Sequence, residues 1–572
     1  ETTSSNTNFN VTVDAILDQY LDVTAGGVAA QTESGSQQIV GLNLSSAFAT
    51  TAFANALAGG GDGDGSEKVI LSVTITVSGD AANLQLAAPV SGVTLTESPA
   101  GTWTLTADTV AHLQTAISTL QAIVPAGFDG TISGSIAANE TWDACTYTLD
   151  GIVFVEPNVV LTIKAGAKIQ GKASPTSDPT SALVFRRDSK INAPGTAASP
   201  IVFTCDEPAG SRFAGCWGGV VLNGRAPVNV PGGEGLAEGL DNVPFGGTDA
   251  NDSSGLIRYA RIEFAGRILS PNNELNLLTH NAVGRGTTED HIVVNQGLDD
   301  GFEWFGGTVN SKYMVALAMA DDGFDWQLGT VGSLQYGFGA HSGTNIDTAG
   351  SQGFEGDNNE NGFDFVPRSK PKFCNVTSVG TRNQSGGNVQ NYGMLLRRGT
   401  AGLIMKSIVI NSNTAGMRMN DSATSNNACT AGAGALTGEL NCQDCVFWKS
   451  GPSGTLYADT NATGGNCSSA QLFNLWTAQA TAPTRTIDPG LAANTGEVWP
   501  PVSPVPSTAA NSSAIDCKTV DAFFDTTGYV GLIAVTDIAL VPMDEWPTVT
   551  ARDVARTDIA PATPAEKGPG FG

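Results

Sequence analysis

The sequence predicts an all-β protein in which a β-sandwich precedes a long parallel β-helix. Three observations support this prediction. From about residue 141 to 480, short apolar segments alternate with Gly, Asn and Asp, and helical periodicity is almost absent. The core Asp-Asp-Gly-Phe-acid-Trp occurs at 299–304 and again at 321–326, 22 residues later. Between about 37 and 137, apolar and polar residues alternate in short stretches bounded by turn residues.

Length, charge and hydropathy limit the classes of function. A chain of 572 residues is too long for one compact core, so we expect several domains. It carries 28 basic and 55 acidic residues, a net charge of −27. Nucleic acids and anionic membrane surfaces require a basic face, which excludes both as partners. No apolar segment reaches the ~18 residues of a spanning helix, so we predict no membrane insertion.

The nine cysteines indicate disulfides in an oxidising compartment. Because the number is odd, one thiol is left over or pairs with another molecule. Cys205 and Cys216 flank a predicted turn and are candidates for a local disulfide. Cys442 and Cys445 have a zinc-like or redox-like spacing, but no second such pair and no nearby His accompanies them. A zinc site there is the alternative to a disulfide.

The first domain follows an N-terminal arm. Residues 1–35 are polar, and Phe9–Val23 fits either a strand followed by a short helix or an extended arm. Residues 36–137 contain segments such as "KVILSVTITVSG", in which apolar residues alternate with polar ones, as in a half-buried strand. Short strands spaced by turn residues indicate a β-sandwich.

The same region resembles a known class of adhesive repeat. The segments "GDGDGSE", "GTWTLTAD" and "PAGFDGTIS" are similar to the immunoglobulin-like, cadherin-like repeats of large bacterial biofilm adhesins. The resemblance implies an extracellular sandwich with calcium at its entrance. Asp62, Asp64 and Glu67 offer hard oxygen ligands on a flexible Gly loop, which suits Ca²⁺. A solvated turn is the alternative.

The 22-residue repeat predicts a parallel β-helix over residues 138–480. One coil of such a helix contains about 20–25 residues, and equivalent positions stack at the strand spacing of about 4.8 Å. The repeat therefore places Phe302 over Phe324 and Trp304 over Trp326. Alternation along a strand directs these aromatic side chains to one face, where they form an inward stack.

The acidic residues of the repeat form a candidate calcium site. Glu303 and Asp325 face outward in consecutive coils, where they repel by roughly 3 kcal/mol at an effective dielectric constant near 20. Bound Ca²⁺ reverses the sign of this interaction, and Glu355 and Asp357 are candidates to join it. Alternatives are a solvated acidic face and Asp side chains that cap turn amides. The predicted ligands in the repeat are Asp299, Asp300, Glu303, Asp321, Asp322 and Asp325.

A second resemblance covers about residues 140–480. The segments "GIVFVEPNVVLTIKAGAKIQG", "GGVVLNGRAPVN", "GLDDGFEWFGGTVN" and "GFEGDN" resemble a family of secreted bacterial right-handed parallel β-helix surface proteins. The resemblance implies a right-handed coil and an extracellular or cell-surface location. Together with the adhesin-like domain, it implies a structural or adhesive role at a bacterial surface or in an extracellular matrix.

We expect such a protein to bind itself or surface glycans. End coils of a β-helix expose unpaired backbone edges, to which the N-terminal arm of a neighbouring copy can add a strand. Repetition of this contact gives a filament or a layer. Residues 481–572 form a Pro-rich C-terminal extension.

The alternative function is a polysaccharide-acting enzyme, either a lyase or a hydrolase, or a glycan-binding protein. A lyase needs a basic residue beside Ca²⁺, and Arg258 and Arg261 are among the arginines that occupy neighbouring predicted coils. A hydrolase needs two carboxylates, for which Asp299 and Asp321 are the first candidates. No spacing singles out catalytic residues, and Arg261 and Glu263 fit a surface ion pair.

Overall fold

The computed structural model describes residues 130–491 except for 174–179, 209, 271–272, 343–349, 382–391, 452 and 459–463, and then residues 514–531. Outside these ranges it describes only the strands given below and residues 90–92, 112 and 116. The chain forms two compact units, 1–130 and 131–572. Within the described ranges, no helix combines the length and the apolar character that a membrane crossing requires.

The first unit contains antiparallel sheets. One has the order β2-β1-β5-β8-β7 with β3 also paired to β1, and another has the order β4-β9-β6. The strands are β1 (Asn6–Ile16), β2 (Leu21–Val23), β3 (Val28–Gln31), β4 (Gln38–Gly41), β5 (Leu71–Ser78), β6 (Asn83–Leu86), β7 (Val93–Glu97), β8 (Thr102–Ala107) and β9 (Leu120–Val124).

The N-terminal segment is part of this sheet. Strand β1 pairs with β5 over seven residues, from Asn10 opposite Ser78 to Ile16 opposite Ser72. The predicted arm is therefore hydrogen-bonded to the predicted sandwich rather than separate from it. The immunoglobulin-like character of this unit stays a prediction. The proposed calcium ligands Asp62, Asp64 and Glu67 lie outside the described residues.

The described part of the second unit consists mainly of short strands, with two short α-helices. Helix α1 spans Ser422–Ala428 and helix α2 spans Ser469–Thr477. The strands are β10 (Gly130–Ile132), β11 (Ser135–Ile136), β12 (Glu140–Trp142), β13 (Thr146–Leu149), β14 (Ile152–Val155), β15 (Val160–Ile163), β16 (Lys168–Gly171), β17 (Ala182–Phe185), β18 (Lys190–Pro194), β19 (Ile201–Cys205), β20 (Val220–Asn223), β21 (Glu234–Leu236), β22 (Pro244–Gly246), β23 (Gly255–Glu263), β24 (Ile268–Ser270), β25 (Asn273–Glu274), β26 (Leu278–Asn281), β27 (Thr288–Asn295), β28 (Phe302–Phe305), β29 (Asn310–Leu317), β30 (Phe324–Gln327), β31 (Ser333–Ala340), β32 (Gln352–Gly356), β33 (Lys372–Val379), β34 (Tyr392–Leu396), β35 (Gly402–Met405), β36 (Ile408–Ile410), β37 (Ala415–Met419), β38 (Leu440–Gln443), β39 (Val446–Trp448), β40 (Tyr457–Ala458), β41 (Val498–Trp499) and β42 (Val549–Thr550).

Two long parallel sheets build the β-helix. Sheet 1 has the order β10-β13-β16-β19-β23-β27-β29-β31-β33-β35-β38, with β12, β15, β18, β36 and β39 paired beside this path. Sheet 2 has the order β11-β14-β17-β20-β26-β28-β30-β32-β34-β37-β40. From β26 to β33, each coil contributes one strand to each sheet in turn, and coils nearer the two ends add a second strand to sheet 1. This arrangement is consistent with the right-handed parallel β-helix that the sequence predicts.

The predicted aromatic register is confirmed. In the β28–β30 pair, Phe302 lies opposite Phe324 and Trp304 opposite Trp326. The Phe302 and Phe324 rings stack with centroids 5.8 Å apart, and Phe354 continues the stack at 5.6 Å. All five side chains are buried in the main core, so they pack inward as the alternation of the strand requires.

The two tryptophan rings have different neighbours although their positions match. Trp304 stacks on His280 with a centroid distance of 5.2 Å. Trp326 lies 5.1 Å from the ring of Phe373, and its indole N–H donates to Thr400. Backbone register therefore follows from the repeat, whereas the Trp304 ring stacks on the preceding strand of sheet 2 and the Trp326 ring packs against sheet 1.

A column of glycines allows consecutive coils to approach each other at one corner. A Cβ atom on Gly301 would lie 3.0 Å from the carbonyl oxygen of Gly323, and one on Gly323 would lie 3.1 Å from that of Gly353. A Cβ atom on Gly353 would lie 2.8 Å from the carbonyl oxygen of Gly393. These glycines are therefore required by coil-to-coil spacing, which explains why Gly precedes Phe in each repeat.

Replacing Gly353 by Ala is expected to destabilise the β-helix by about 1–3 kcal/mol, because overpacking forces the neighbouring coil to move. The added Cβ would lie 1.9 Å from Ser378 Oγ as well as close to the next backbone. Urea unfolding of the full chain measures the effect. Gly528→Ala is the control: it has open space, so its stability should change by less than about 0.5 kcal/mol. Equal stability of the two variants would contradict the close-approach explanation.

Candidate functional site

The outer face of sheet 2 changes from apolar to acidic along the β-helix. Adjacent strands place Thr279, Glu303, Asp325, Glu355 and Leu395 in register on this face. Three consecutive coils therefore carry a carboxylate at the same position, with a hydroxyl before them and an apolar side chain after them. These carboxylates point away from the aromatic core, as the sequence predicts.

The carboxylates are buried, so the solvated acidic face considered above is not what these strands form. Only 5% of Glu303 and 8% of Asp325 is exposed. The segment around the β21–β22 hairpin contributes to this cover, since Phe245 and other apolar residues pack against the outer face of sheet 2. Glu238, in the loop of that hairpin, is close enough to raise the pKa of Glu303 further.

The corner acids form a ladder with the backbone of the next coil. The N–H of Asp300 donates to Asn276 Oδ1 at 3.2 Å, and the N–H of Asp322 donates to Asp300 Oδ1 at 2.8 Å. The N–H of Gln352 donates in turn to Asp322 Oδ1, and Gln352 Oε1 accepts from Tyr392. Asp300 and Asp322 thus each accept a hydrogen bond from a backbone N–H of the next coil through Oδ1. Asp300 and Asp322 therefore cap backbone amides, which is the second alternative to calcium binding that the sequence suggests.

The strand acids differ in how well their oxygens are satisfied. Glu303 accepts hydrogen bonds from the side-chain amides of Asn276 and, at 2.9 Å, Gln327. Asp325 Oδ1 is buried without a hydrogen-bond partner. An unsatisfied buried polar oxygen costs free energy, so this oxygen is a candidate partner for a water molecule or a bound cation.

Two arginines close one end of the acidic face. Arg397 forms ion pairs with Glu355 and, with Nε–Oδ1 at 2.9 Å, with Asp357. Arg398 contacts the other oxygen of Asp357 at 2.7 Å. Both arginines directly follow β34, so their positions depend on the coil that comes after the one with Glu355.

Among the residues that the structure describes, three groups of acidic side chains have carboxylate oxygens within 4.8 Å of one another. Asp325 belongs to two of the groups. The first triad contains Asp300, Glu303 and Asp325; the second triad contains Asp322, Asp325 and Glu355; the corner triad contains Asp299, Asp300 and Asp321.

Burial dominates the electrostatics of these triads. Desolvation, and then repulsion between neighbouring carboxylates, raises the pKa of four side chains well above its usual range. Burial also raises the pKa of Glu355 to about 7, although the Arg397 guanidinium opposes the shift. At neutral pH such a cluster needs protons or cations to be stable. The four groups are Asp300, Glu303, Asp322 and Asp325.

All six acids that the sequence predicted in the repeat lie in this cluster, and Glu355 joins them. The arginines that the sequence offered for a lyase do not. Arg258 pairs with Asp290 at 2.6 Å, and Arg261 pairs with Glu263 at 2.6 Å, both from strand β23 of sheet 1. The Arg261–Glu263 pair is the expected one, but Glu263 is buried rather than at the surface.

Four supporting residues were missed by the sequence analysis. Asn276 and Gln327 orient Glu303, and Arg397 and Arg398 hold the acidic end. Asn276 was detectable as the residue that precedes the Asp ladder at the same corner. Arg397 and Arg398 follow a coil of irregular length, so the 22-residue repeat does not predict their positions.

The described cysteine pairs form four disulfides. Cys205 is bonded to Cys216, the local pair that the sequence suggested. Cys442 is bonded to Cys445, so these two do not form the alternative zinc site. The other bonds are Cys374–Cys517 and Cys429–Cys467.

Comparison with known proteins identifies the β-helix. Residues 134–481 match the family model described as a pectate-lyase-like beta helix domain. The chain matches no curated protein. Two solved structures resemble it, the catalytic domain of a GH87 α-1,3-glucanase in complex with nigerose and a variant of that domain. Each is 10% identical and covers 82% of this chain and 87% of its own, with TM-scores of 0.23 and 0.22. Scores this low carry no information about substrate or mechanism.

Proposed function

Because the chain belongs to the family of pectate-lyase-like β-helix domains, we propose that it acts on polysaccharides and hydrolyses glycosidic bonds at the acidic face of sheet 2. The observation that carries this proposal is the convergence of buried carboxylates from three consecutive coils on one outer face. Four disulfides support an extracellular location. The adhesive or filament-forming role has no such support and stays a prediction of the sequence.

Hydrolysis requires one carboxylic acid that donates a proton and one carboxylate that acts as base or nucleophile. Asp322 and Glu355 are the best pair for these roles. The pKa of Asp322 is raised well above its usual range by burial and by Glu355, so its carboxyl group holds a proton to donate. Glu355 is ion-paired with Arg397, which favours its ionised form. One oxygen of each side chain lies within 4.8 Å of an oxygen of the other, which is shorter than the separation of about 6.5–9.5 Å in inverting enzymes.

The positions of the arginines favour hydrolysis over elimination. A lyase needs a side chain that can accept the α-proton of an acidic sugar. The carboxylates around Arg397 raise its pKa although burial opposes this, so its guanidinium stays protonated. Arg398 forms an ion pair with Asp357 at 2.7 Å, so a carboxylate already occupies its guanidinium. Neither arginine is therefore suited to act as a base.

Incubation of the full chain with a panel of neutral and acidic polysaccharides tests the proposal. We expect new reducing ends without the ultraviolet absorbance of unsaturated sugars. Unsaturated products would overturn hydrolysis in favour of elimination. Failure to cleave any polysaccharide, in protein shown to be folded, would overturn the enzymatic proposal. Nuclear magnetic resonance of the first product should show retention of anomeric configuration.

A further inference from the structure

We propose that Asp300, Glu303 and Asp325 bind one divalent cation, and that this cation is Ca²⁺. The inference goes beyond the proposed function, because it holds whether or not a glycan is the substrate. It rests on three observations from the first triad and its surroundings: the closeness of the oxygens, the unsatisfied atom of Asp325 and the distribution of basic groups.

The first observation is geometric. One oxygen from each of the three side chains lies within 4.8 Å of the others. Each residue is more than nine-tenths buried, with exposures of 6% for Asp300, 5% for Glu303 and 8% for Asp325. Desolvated like charges at such distances repel strongly. A cation between them turns this repulsion into attraction.

The second observation is the unpartnered oxygen. Asp325 Oδ1 has no hydrogen-bond donor, while Glu303 accepts from both Asn276 and Gln327. Asp325 is also the residue that the first and second triads share. Asp325 therefore lies between the two triads, where one cation could contact several carboxylates, and its Oδ1 has no other partner.

The third observation is the asymmetry of positive charge. In the second triad, Glu355 already has the guanidinium of Arg397 as its counterion. Among the described residues, no Lys or Arg forms an ion pair with Asp300, Glu303 or Asp325, although the nearby Arg397 guanidinium lowers the pKa of Asp325 against the effect of burial. Arg397 is thus the counterion of Glu355, whereas no described basic side chain is the counterion of Asp300 or Glu303.

The ladder limits the site to this place. The three proposed ligands are the corner acid Asp300, the strand acid Glu303 three residues later, and Asp325, the strand acid of the next coil. One coil earlier, the corner residue is Asn276 and the strand residue is Thr279. One coil after the second triad, the corner residue is Gln352 and the strand partner of Glu355 is Leu395. Uncharged side chains therefore end the pattern in both directions.

Oxygen ligands from two coils favour Ca²⁺ over Mg²⁺. The three carboxylates can bind in one-oxygen or two-oxygen modes, which gives an irregular set of ligands suited to 6–8 coordination. Mg²⁺ demands a nearly regular octahedron and loses its water reluctantly. We therefore expect at least about ten-fold weaker binding of Mg²⁺.

Calorimetric titration of the chelator-treated full chain with CaCl₂ tests the site directly. Asp325→Asn should bind one Ca²⁺ fewer per chain than the unmodified protein. Asp364→Asn is the matched control, since its side chain is 85% exposed, and it should bind as the unmodified protein does. Equal stoichiometry in Asp325→Asn and the control would overturn the proposal, as would the absence of any calcium binding.

Thermal unfolding provides a second readout that does not depend on stoichiometry. With chelator present, Asp325→Asn or Glu303→Gln should melt at a higher temperature than the unmodified chain, because each removes a buried repulsive charge. With Ca²⁺ present, the order should reverse, since only the unmodified chain gains stability from the bound ion. A variant that is less stable in both conditions would overturn the cation explanation in favour of a purely structural role for the side chain.

The proposed hydrolysis and the proposed cation site can fail separately. Glu355→Gln removes a residue of the second triad and leaves all three ligands of the first. It should therefore abolish polysaccharide cleavage and keep the calcium stoichiometry of the unmodified protein. Loss of calcium binding in this variant would overturn the assignment of the ion to the first triad, whatever the outcome of the cleavage assay.

Discussion

Glu355→Gln and Asp322→Asn are each expected to reduce the rate of polysaccharide cleavage by about 10²–10⁴-fold, the usual contribution of a positioned acid or base. Both changes keep the shape of the side chain and remove its ability to exchange a proton. Asp322→Asn retains an oxygen for the N–H of Gln352, so the corner ladder can remain intact. The loss should therefore appear in kcat more than in KM, as measured by release of reducing ends.

Glu360→Gln is the matched control for these variants. Its side chain is 60% exposed and contacts Arg398 at 3.6 Å without belonging to a triad. Its activity should stay within about two-fold of the unmodified protein, because exposed ion pairs contribute little. Full activity of Glu355→Gln or Asp322→Asn would exclude the residue concerned from the proposed chemistry.

The register of sheet 2 was predictable because it follows from short-range rules. Alternation along a strand and the stacking of equal coils leave one arrangement in which Phe302 meets Phe324. The same rules put Glu303 opposite Asp325. The glycine before each Phe was also visible, although its reason is the 3.0 Å approach of the next coil rather than a turn conformation.

The burial of the carboxylates was not predictable from the repeat. It depends on distant parts of the chain, including Glu238 in a hairpin that precedes the repeat. Arg397 follows Asp357 by 40 residues, after coils of unequal length, so no periodicity connects them. Local sequence patterns determine which side of a strand a residue faces. The segments that bury the carboxylates, and the arginines that pair with them, are brought there by long-range packing.

Sheet 1 shows a different limit of sequence reasoning. Tyr259, His291, Tyr313 and Tyr336 adopt left-handed backbone conformations, with φ between 45° and 65°. They lie at the points where register pairs are interrupted in consecutive strands, and their rings stack 4.3–4.7 Å apart. Bulky aromatic residues rarely adopt this conformation, so nothing in the sequence of a single strand indicates the interruption. The bend becomes visible only when coils are aligned.

Part of the C-terminal extension packs on the β-helix. Residues 514–531 are linked to sheet 1 by the Cys374–Cys517 disulfide. Lys312 and Lys372 of β29 and β33 form ion pairs with Asp525 and Asp521 of this segment, each at 2.8 Å. Residues 514–531 of the predicted C-terminal extension are therefore held against the β-helix by side chains from two coils.

Removal of this disulfide is expected to destabilise the protein by about 5 kcal/mol, the chain-entropy value for a loop of this size. The two cysteines are 143 residues apart, so the bond strongly restricts the unfolded chain. Cys374→Ala/Cys517→Ala avoids placing a polar group at these buried positions. The control, Cys442→Ala/Cys445→Ala, opens a loop with a separation of 3 and should lose only about 2 kcal/mol. Urea unfolding under oxidising conditions measures both losses. Equal losses would show that packing around the sulfur atoms, rather than restriction of the unfolded chain, determines the contribution of these bonds.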